Sequence, residues 1–256
     1  MTNSSSFLLR STGRWLAGAL LCVGSSLAAA QGLVPFTASY TADMKKVPVN
    51  GEANHSLQPN ADGSWTLAFH AGMFVAKLNE ESQLRLDNNQ LVPLSYRYER
   101  KGLGRSRIDT QHFDWSAGLV TGEYKKKPFS IATEPGLLDK TTYQLALQRD
   151  LLAGKTEMHY RVVDGDQVDD YLFRVTGEKR VTTRAGQFDA VEVERVRDAD
   201  AKRQTKLWFA KDWQYLLVRL TQIETDGQQY QIMLKEATLD GQPVTGEPVK
   251  ADHKAD

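Results

Sequence analysis

Apolar residues recur at every second position along most of this chain, and that alternation limits what it can fold into. Met158, Tyr160 and Val162 follow it, as do Tyr171, Phe173 and Val175, then Leu67, Phe69 and Ala71, then Tyr230, Ile232 and Leu234. Successive side chains of a strand point to opposite faces, so each run makes a strand with one oily and one largely wet face. Between the runs stand Asp62-Gly63, Asn88-Asn89, Ala117-Gly118, Asp164-Gly165, Ala185-Gly186, Asp226-Gly227 and Asp240-Gly241. Such pairs tolerate the positive φ of tight hairpins. The pattern predicts a mainly β protein: an antiparallel meander of roughly ten strands, strongly curved into an open barrel or half-barrel.

One segment departs from period two. Leu137 to Gly154 reads as a helix, opened by Pro135-Gly136 and closed by Gly154 as the C′ residue. At 100° per residue Leu138, Leu145 and Leu152 form one stripe, and Tyr143, Leu147 and Leu151 another on the far side. A helix lying on a single sheet surface needs only one apolar stripe. This one is expected to fill the curl of the sheet, or to lie across its mouth as a lid with Leu138, Leu145 and Leu152 towards a ligand.

The N-terminus sets the expected compartment. Arg10 and Arg14 precede an apolar run from Trp15 to Leu27, and Ala28-Ala29-Ala30 offers an A-x-A cleavage pattern before Gln31. Residues 1–30 are therefore expected to be a cleaved signal peptide, 31–244 a single β-rich domain and 245–256 a disordered tail. The apolar run is short of the ~20 residues of a spanning helix, and no second long apolar run follows. No transmembrane segment is expected after cleavage, and the expected location is the periplasm. Cys22, the sole cysteine, lies inside the leader without the small residue a lipidation site wants before it. Disulfides, thiol catalysis and cysteine-held metals are thereby excluded from the mature chain. Lysine and arginine balance aspartate and glutamate at 32 each, so losing Arg10 and Arg14 leaves a slightly acidic domain. That is unlike a nucleic-acid binder.

Motifs for chemistry are missing or fail on inspection. No Gly-x-Ser-x-Gly elbow occurs, and Gly154-Lys155-Thr156 has Arg149 where a phosphate loop needs glycine. His55, His70, His112 and His159 are scattered singly. The acidic run Asp164 to Asp170 lacks the later glycine and bidentate Glu of a calcium loop. The carboxylate pairs Glu80-Glu81, Asp169-Asp170 and Glu192 with Glu194 carry no mark of a split in pKa. No catalytic residue, metal or cofactor is expected, and the chain reads as a non-enzyme.

What stands out is basic residues interleaved with aromatics. Tyr96, Tyr98, Arg100 and Arg105 fall in one hairpin. Val191, Val193, Arg195 and Arg197 share one strand face, an oily floor running into cations. These six, Arg100, Arg105, Arg195, Arg197, Tyr96 and Tyr98, are the candidate rim of a groove for an amphipathic or anionic ligand.

Several blocks together resemble an exported bacterial family known as domain of unknown function 3108. They are Pro93 to Gly104 (PLSYRYERKGLG), Phe113-Asp-Trp115, Pro135-Gly-Leu-Leu-Asp-Lys140, Tyr143-Gln144, Gly186-Gln-Phe-Asp-Ala190 and Lys202 to Trp213 (KRQTKLWFAKDW). The likeness spans about residues 33 to 240, implies an exported β-rich protein and supplies no catalytic residues. The plan of a curved sheet with a helix at its concave side is also similar to the outer-membrane lipoprotein carriers. The expected function is thus a non-catalytic periplasmic binding or carrier protein in envelope biogenesis, monomeric, taking a lipid, a lipoprotein or an outer-membrane protein segment. The alternative is an interaction module that docks on an envelope assembly or secretion machine.

Overall fold

The structure, a computed structural model, describes residues 32–249 except 45–46, 74–75, 103 and 199. The expected leader and the last seven residues lie outside the described residues. The sheet is built as two meanders. The first runs outward through β1 (Phe36–Met44), β2 (Val47–Pro59), β3 (Trp65–Met73), β4 (Ala76–Asp87), β5 (Gln90–Gly102), β6 (Arg105–Asp114), β7 (Leu119–Tyr124) and β8 (Lys127–Ala132). After α1 (Thr142–Leu152) the second returns through β9 (Glu157–Asp164), β10 (Gln167–Thr183), β11 (Gly186–Val196), β12 (Gln204–Ala210), β13 (Leu216–Ile223) and β14 (Gln229–Leu239). β14 pairs with β1, so one antiparallel sheet runs from edge β8 to edge β9, and a two-residue β15 (Gln242–Pro243) adds to β14.

The architecture is the mainly β, antiparallel, unclosed barrel that the alternation predicts, with fifteen strands among the described residues rather than about ten. Short strands account for much of the difference. β7 and β8 have six residues each and turn through Lys125-Lys126 at φ 52° and 66°, a left-handed pair with no Gly or Asn to announce it.

The sheet ends overlap instead of pairing. Phe113, Val120 and Leu137 are buried together with Val163 from β9, and Phe129, Ile131 and Val168 pack around them. Phe113, Val120 and Ile131 belong to the concave side of β6–β8, whereas Val163 and Val168 face away from the main core. The β6–β8 flap therefore lies over the outside of β9 and β10, like the overlap of a rolled sheet. Gln111 Nε2 donates to the Val163 carbonyl across this seam at 3.1 Å. Gly165, at φ +78°, lies so close to Tyr124 that a Cβ would come within 2.7 Å of its ring. Each fully buried aliphatic side chain in the seam contributes roughly 1.5–3 kcal/mol over exposure.

Inside the roll, α1 buries Leu145, Leu147 and Leu151 against Met158, Phe173, Val193 and Leu207 in the main core. The helix is shorter than its periodicity suggests. Leu138 is extended, its N–H donating to Arg161 O and its carbonyl accepting from Val163 N, both at 2.9 Å, along the free edge of β9. Asp139 then takes the Thr141 and Thr142 N–H groups, both at 2.8 Å, and the Ser82 hydroxyl at 2.6 Å. It ties the helix start to β4 and sets where helix can begin. The stripe of Leu138, Leu145 and Leu152 is corrected accordingly: Leu138 is off the helix, and Leu152 is only part-buried.

The tail is corrected as well. Val244 is buried, and Gly246 N donates to Ala185 O at 2.8 Å. Glu247 and Gln187 exchange two backbone hydrogen bonds at 2.9 Å. Residues up to 247 thus belong to the fold, because Gly186 and Gly246 leave no side chain between the two backbones.

Candidate binding site at the mouth of the roll

In an antiparallel meander every second turn falls at the same end. The β5/β6, β7/β8, β9/β10 and β11/β12 turns therefore crowd one mouth of the roll. The residues expected to form a rim all come from strands that end there, but the structure divides them into two groups.

The first group lies on the β5/β6 hairpin. Arg100 stands opposite Arg107 and next to Leu78 of β4, and Arg105 is at the tip; both Arg100 and Arg105 are exposed. No described carboxylate lies within ion-pair distance of either. Arg107 is held apart from them: Asp109 binds it at 2.5 Å, and it sits over Tyr98 and Tyr124 at 5.3 and 4.9 Å. The neighbouring β7/β8 turn adds exposed Lys125, Lys126 and Lys127 beside open edge β8. Tyr96 is not a rim residue. It is buried, and its hydroxyl donates to Glu80 at 2.5 Å. Burial raises the Glu80 pKa against the effect of that hydrogen bond and of the Lys140 charge.

The second group lies on β11 and just beyond its end. Val191 and Val193 are buried, and the same face continues through Arg195 and Arg197, both part-buried, as the strand pattern predicts. Arg195 is paired across the sheet with Phe173, and its guanidinium lies 3.3 Å from the Tyr171 ring centroid. Arg197 reaches the Thr205 hydroxyl with both terminal nitrogens at 3.3 Å. Its pKa is pulled down to about 10, by burial first and then by the charges of Arg195 and Arg203. Tyr143, in the first turn of α1, stacks on Phe173 at 5.5 Å and meets the Tyr171 edge at 5.1 Å. Burial pushes its phenol up to about 12, while Arg195 and Arg197 pull the other way. Lys140 and the Tyr171 hydroxyl hold Asp164 at 2.9 and 2.7 Å. Burial opposes the charge on Asp164, but Lys140 and Tyr171 outweigh it and its pKa falls.

Lys140, Tyr143, Asp164, Tyr171 and Thr205 are therefore parts of the site that the rim pattern missed. Tyr171 was legible as an inward residue of β10. The others come from the helix start, the β9 end and β12, which only the roll brings together. Of the carboxylate pairs, Glu192 and Glu194 stay together, both reaching Lys206 Nζ at 3.4 and 3.7 Å, while Glu80 and Glu81 separate. Glu80 is inside and Glu81 is exposed. Glu192 is 4% exposed on the convex side, bound by Lys179 at 2.6 Å and by Trp208 Nε1 at 3.1 Å.

Towards the other end of the roll Leu145 borders a crevice with Phe36, His55, Leu67, Gln144 and Gln148 that offers about 10 Å³. That is room for about one water.

The matching family model covers residues 36–235, and the chain belongs to that family, described as Protein of unknown function (DUF3108). A crystal structure of a β-barrel-like protein of domain of unknown function DUF1849 from Brucella abortus is similar in fold. It aligns with a TM-score of 0.55 over 81% of this chain and 98% of that one, at 13% identity. No curated protein matches the chain.

Proposed function

We propose that the protein is a non-catalytic binding module of the periplasm, exported by its cleaved leader, that engages an acidic partner of the cell envelope at the mouth of the roll. The observation that carries this reading is the cluster of exposed, carboxylate-free Arg100, Arg105, Lys125, Lys126 and Lys127 on two adjacent hairpin tips. Exposed charges left without internal partners cost the fold little and remain available to steer and orient an oppositely charged surface. The adjoining edge strand β8 ends the sheet and offers backbone groups to a docking segment. Leu145, Leu147 and Leu151 of α1 occupy the main core of the roll, which favours docking over the carriage of an acyl chain, since that needs a cavity of hundreds of Å³.

The test places a photo-crosslinking residue at Lys126, and at Asp62 on the opposite end as a control, in living cells. A discrete adduct should form from position 126 alone and vanish when Arg100→Glu and Arg105→Glu are added. Intact mass should show a chain beginning at or within a couple of residues of Gln31. Stoichiometric lipid extracted from the purified protein, with no adduct at 126, would instead establish the carrier reading.

A further inference from the structure

We propose that Arg195 and Arg197, with the hydroxyls of Thr205 and Tyr143, form a discrete site for one phosphate group. This deepens the binding-module reading without depending on the basic hairpin tips, because the four residues belong to β11 and its end, β12 and α1.

Arg195, Arg197 and Arg203 lie close together here, and among the described residues only Arg203 has a carboxylate within ion-pair reach, that of Glu224. Arg195 is met by an aromatic face, and Arg197 by a neutral hydroxyl. Asp164, the acid that Arg195 feels, is already bound by Lys140 and Tyr171. Glu80, whose pKa burial raises, is already bound by the Tyr96 hydroxyl. Two part-buried guanidiniums thus face the interior without an anion of their own, an arrangement that costs stability unless something supplies one.

The geometry narrows the ligand. Arg195 is fixed by its stacking on Tyr171, which leaves the edge of its planar fork for an acceptor. Thr205 can donate its proton outward while accepting from Arg197, and no described group accepts the Tyr143 hydroxyl. The wall therefore offers two guanidinium forks and two hydroxyl donors. A carboxylate has two oxygens and one charge, and would leave one guanidinium uncompensated. A phosphate monoester carries close to two charges and three terminal oxygens, which matches both the charge and the donors. Arg197 and Thr205 flank the β11/β12 turn at the mouth, so the phosphate is bound there as a head group with the rest of its molecule outside.

Inorganic phosphate is the first probe. Phosphate replaces chloride at constant ionic strength, with thermal midpoint and titration calorimetry as readouts. The wild-type chain should show saturable binding and stabilisation beyond chloride. Arg195→Gln with Arg197→Gln should weaken phosphate binding roughly ten- to hundredfold, while the midpoint in chloride is kept or raised. Thr205→Val, which changes no charge, should weaken it as well and keeps the test decisive if the double variant does not fold. Vesicles of phosphatidic acid, set against phosphatidylcholine, separate the sources. Binding to the former that is lost in the double variant identifies a lipid head group, and a response to inorganic phosphate alone identifies a small ester. Absence of both responses, or a double or Thr205→Val variant that binds like wild type, overturns the site. The docking reading fails separately, when Arg100→Glu with Arg105→Glu leaves the in-cell adduct unchanged.

Discussion

Lowering the pH tests the interior most directly, through His55. Its ring meets Phe36 and Phe69 edge-on at 5.0 and 6.0 Å, and its Nε2 is buried without a hydrogen-bond partner. A proton added there would be a charge among aromatic and aliphatic groups, so burial pulls the pKa from 6.5 down to about 4. Between those values the unfolded chain binds a proton that the folded chain refuses, so stability falls as the medium is acidified. The contribution is complete above pH 6.5 and lost on passing below about 4. The 2.5-unit gap corresponds to about 3 kcal/mol in all, of which about 2.5 kcal/mol is gone by pH 4.5. Urea unfolding at pH 7.5, 6, 5 and 4.5 measures it, with His55→Phe as the reference because phenylalanine suits the same aromatic surroundings. Carboxylates also titrate near the acid end, so the difference between the two proteins is the quantity to read. It should change by about 2.5 kcal/mol, with wild type losing more. Parallel curves would show that His55 is hydrated or paired in solution and that the crevice beside it is open to water.

Three further outcomes follow from the packing. Asp139→Ala should cost about 2–4 kcal/mol in urea unfolding, because two N–H groups and the Ser82, Thr141 and Thr142 hydroxyls lose a shared acceptor; Asp139→Asn should recover part of it, and a loss under about 1 kcal/mol would detach α1 from β4 in the argument. Leu147→Ala should cost about 2–5 kcal/mol and Leu152→Ala under about 1, since the first is fully buried and the second is at the margin; equal costs would restore the two-stripe helix. Gly165→Ala should destabilise by about 1–3 kcal/mol through its positive φ and its collision with Tyr124, and Tyr124→Ala should relieve part of that in the double variant. Additive losses in that pair would place Tyr124 away from the β9/β10 turn.

The parts legible in the sequence are those fixed by near neighbours. Alternation assigns faces strand by strand, so Val191, Val193, Arg195 and Arg197 share a wall as read. The Asp-Gly and Asn-Asn pairs mark hairpins because a positive φ leaves a compositional trace. Lys125-Lys126 adopts the same conformation without that trace, and its turn was invisible. The helix start was misjudged because period 3.6 runs on through Leu137 and Leu138, whereas the backbone of β9 claims Leu138 and Asp139 caps the chain beyond it. The run Asp139-x-Thr141-Thr142 carried that signal in plain form.

Which cations are free could not be read at all, since it depends on the way the sheet rolls. Arg107 and Arg105 stand two residues apart on one face of β6, yet the neighbouring β7 brings Tyr124 to Arg107 and no described carboxylate pairs with Arg105. Arg203 and Arg197 flank one loop, yet the β13 end supplies Glu224 to the first alone. A fold that can pair Arg107, Arg161, Arg174 and Arg203 with carboxylates is not short of acids. Leaving Arg195 and Arg197 unmatched in a part-buried wall, where an unmatched charge costs most, is therefore hard to account for by folding alone. An anion arriving from outside removes that cost, and it does so at the same end of the roll as the exposed bases of the β5/β6 and β7/β8 hairpins, which would draw it in.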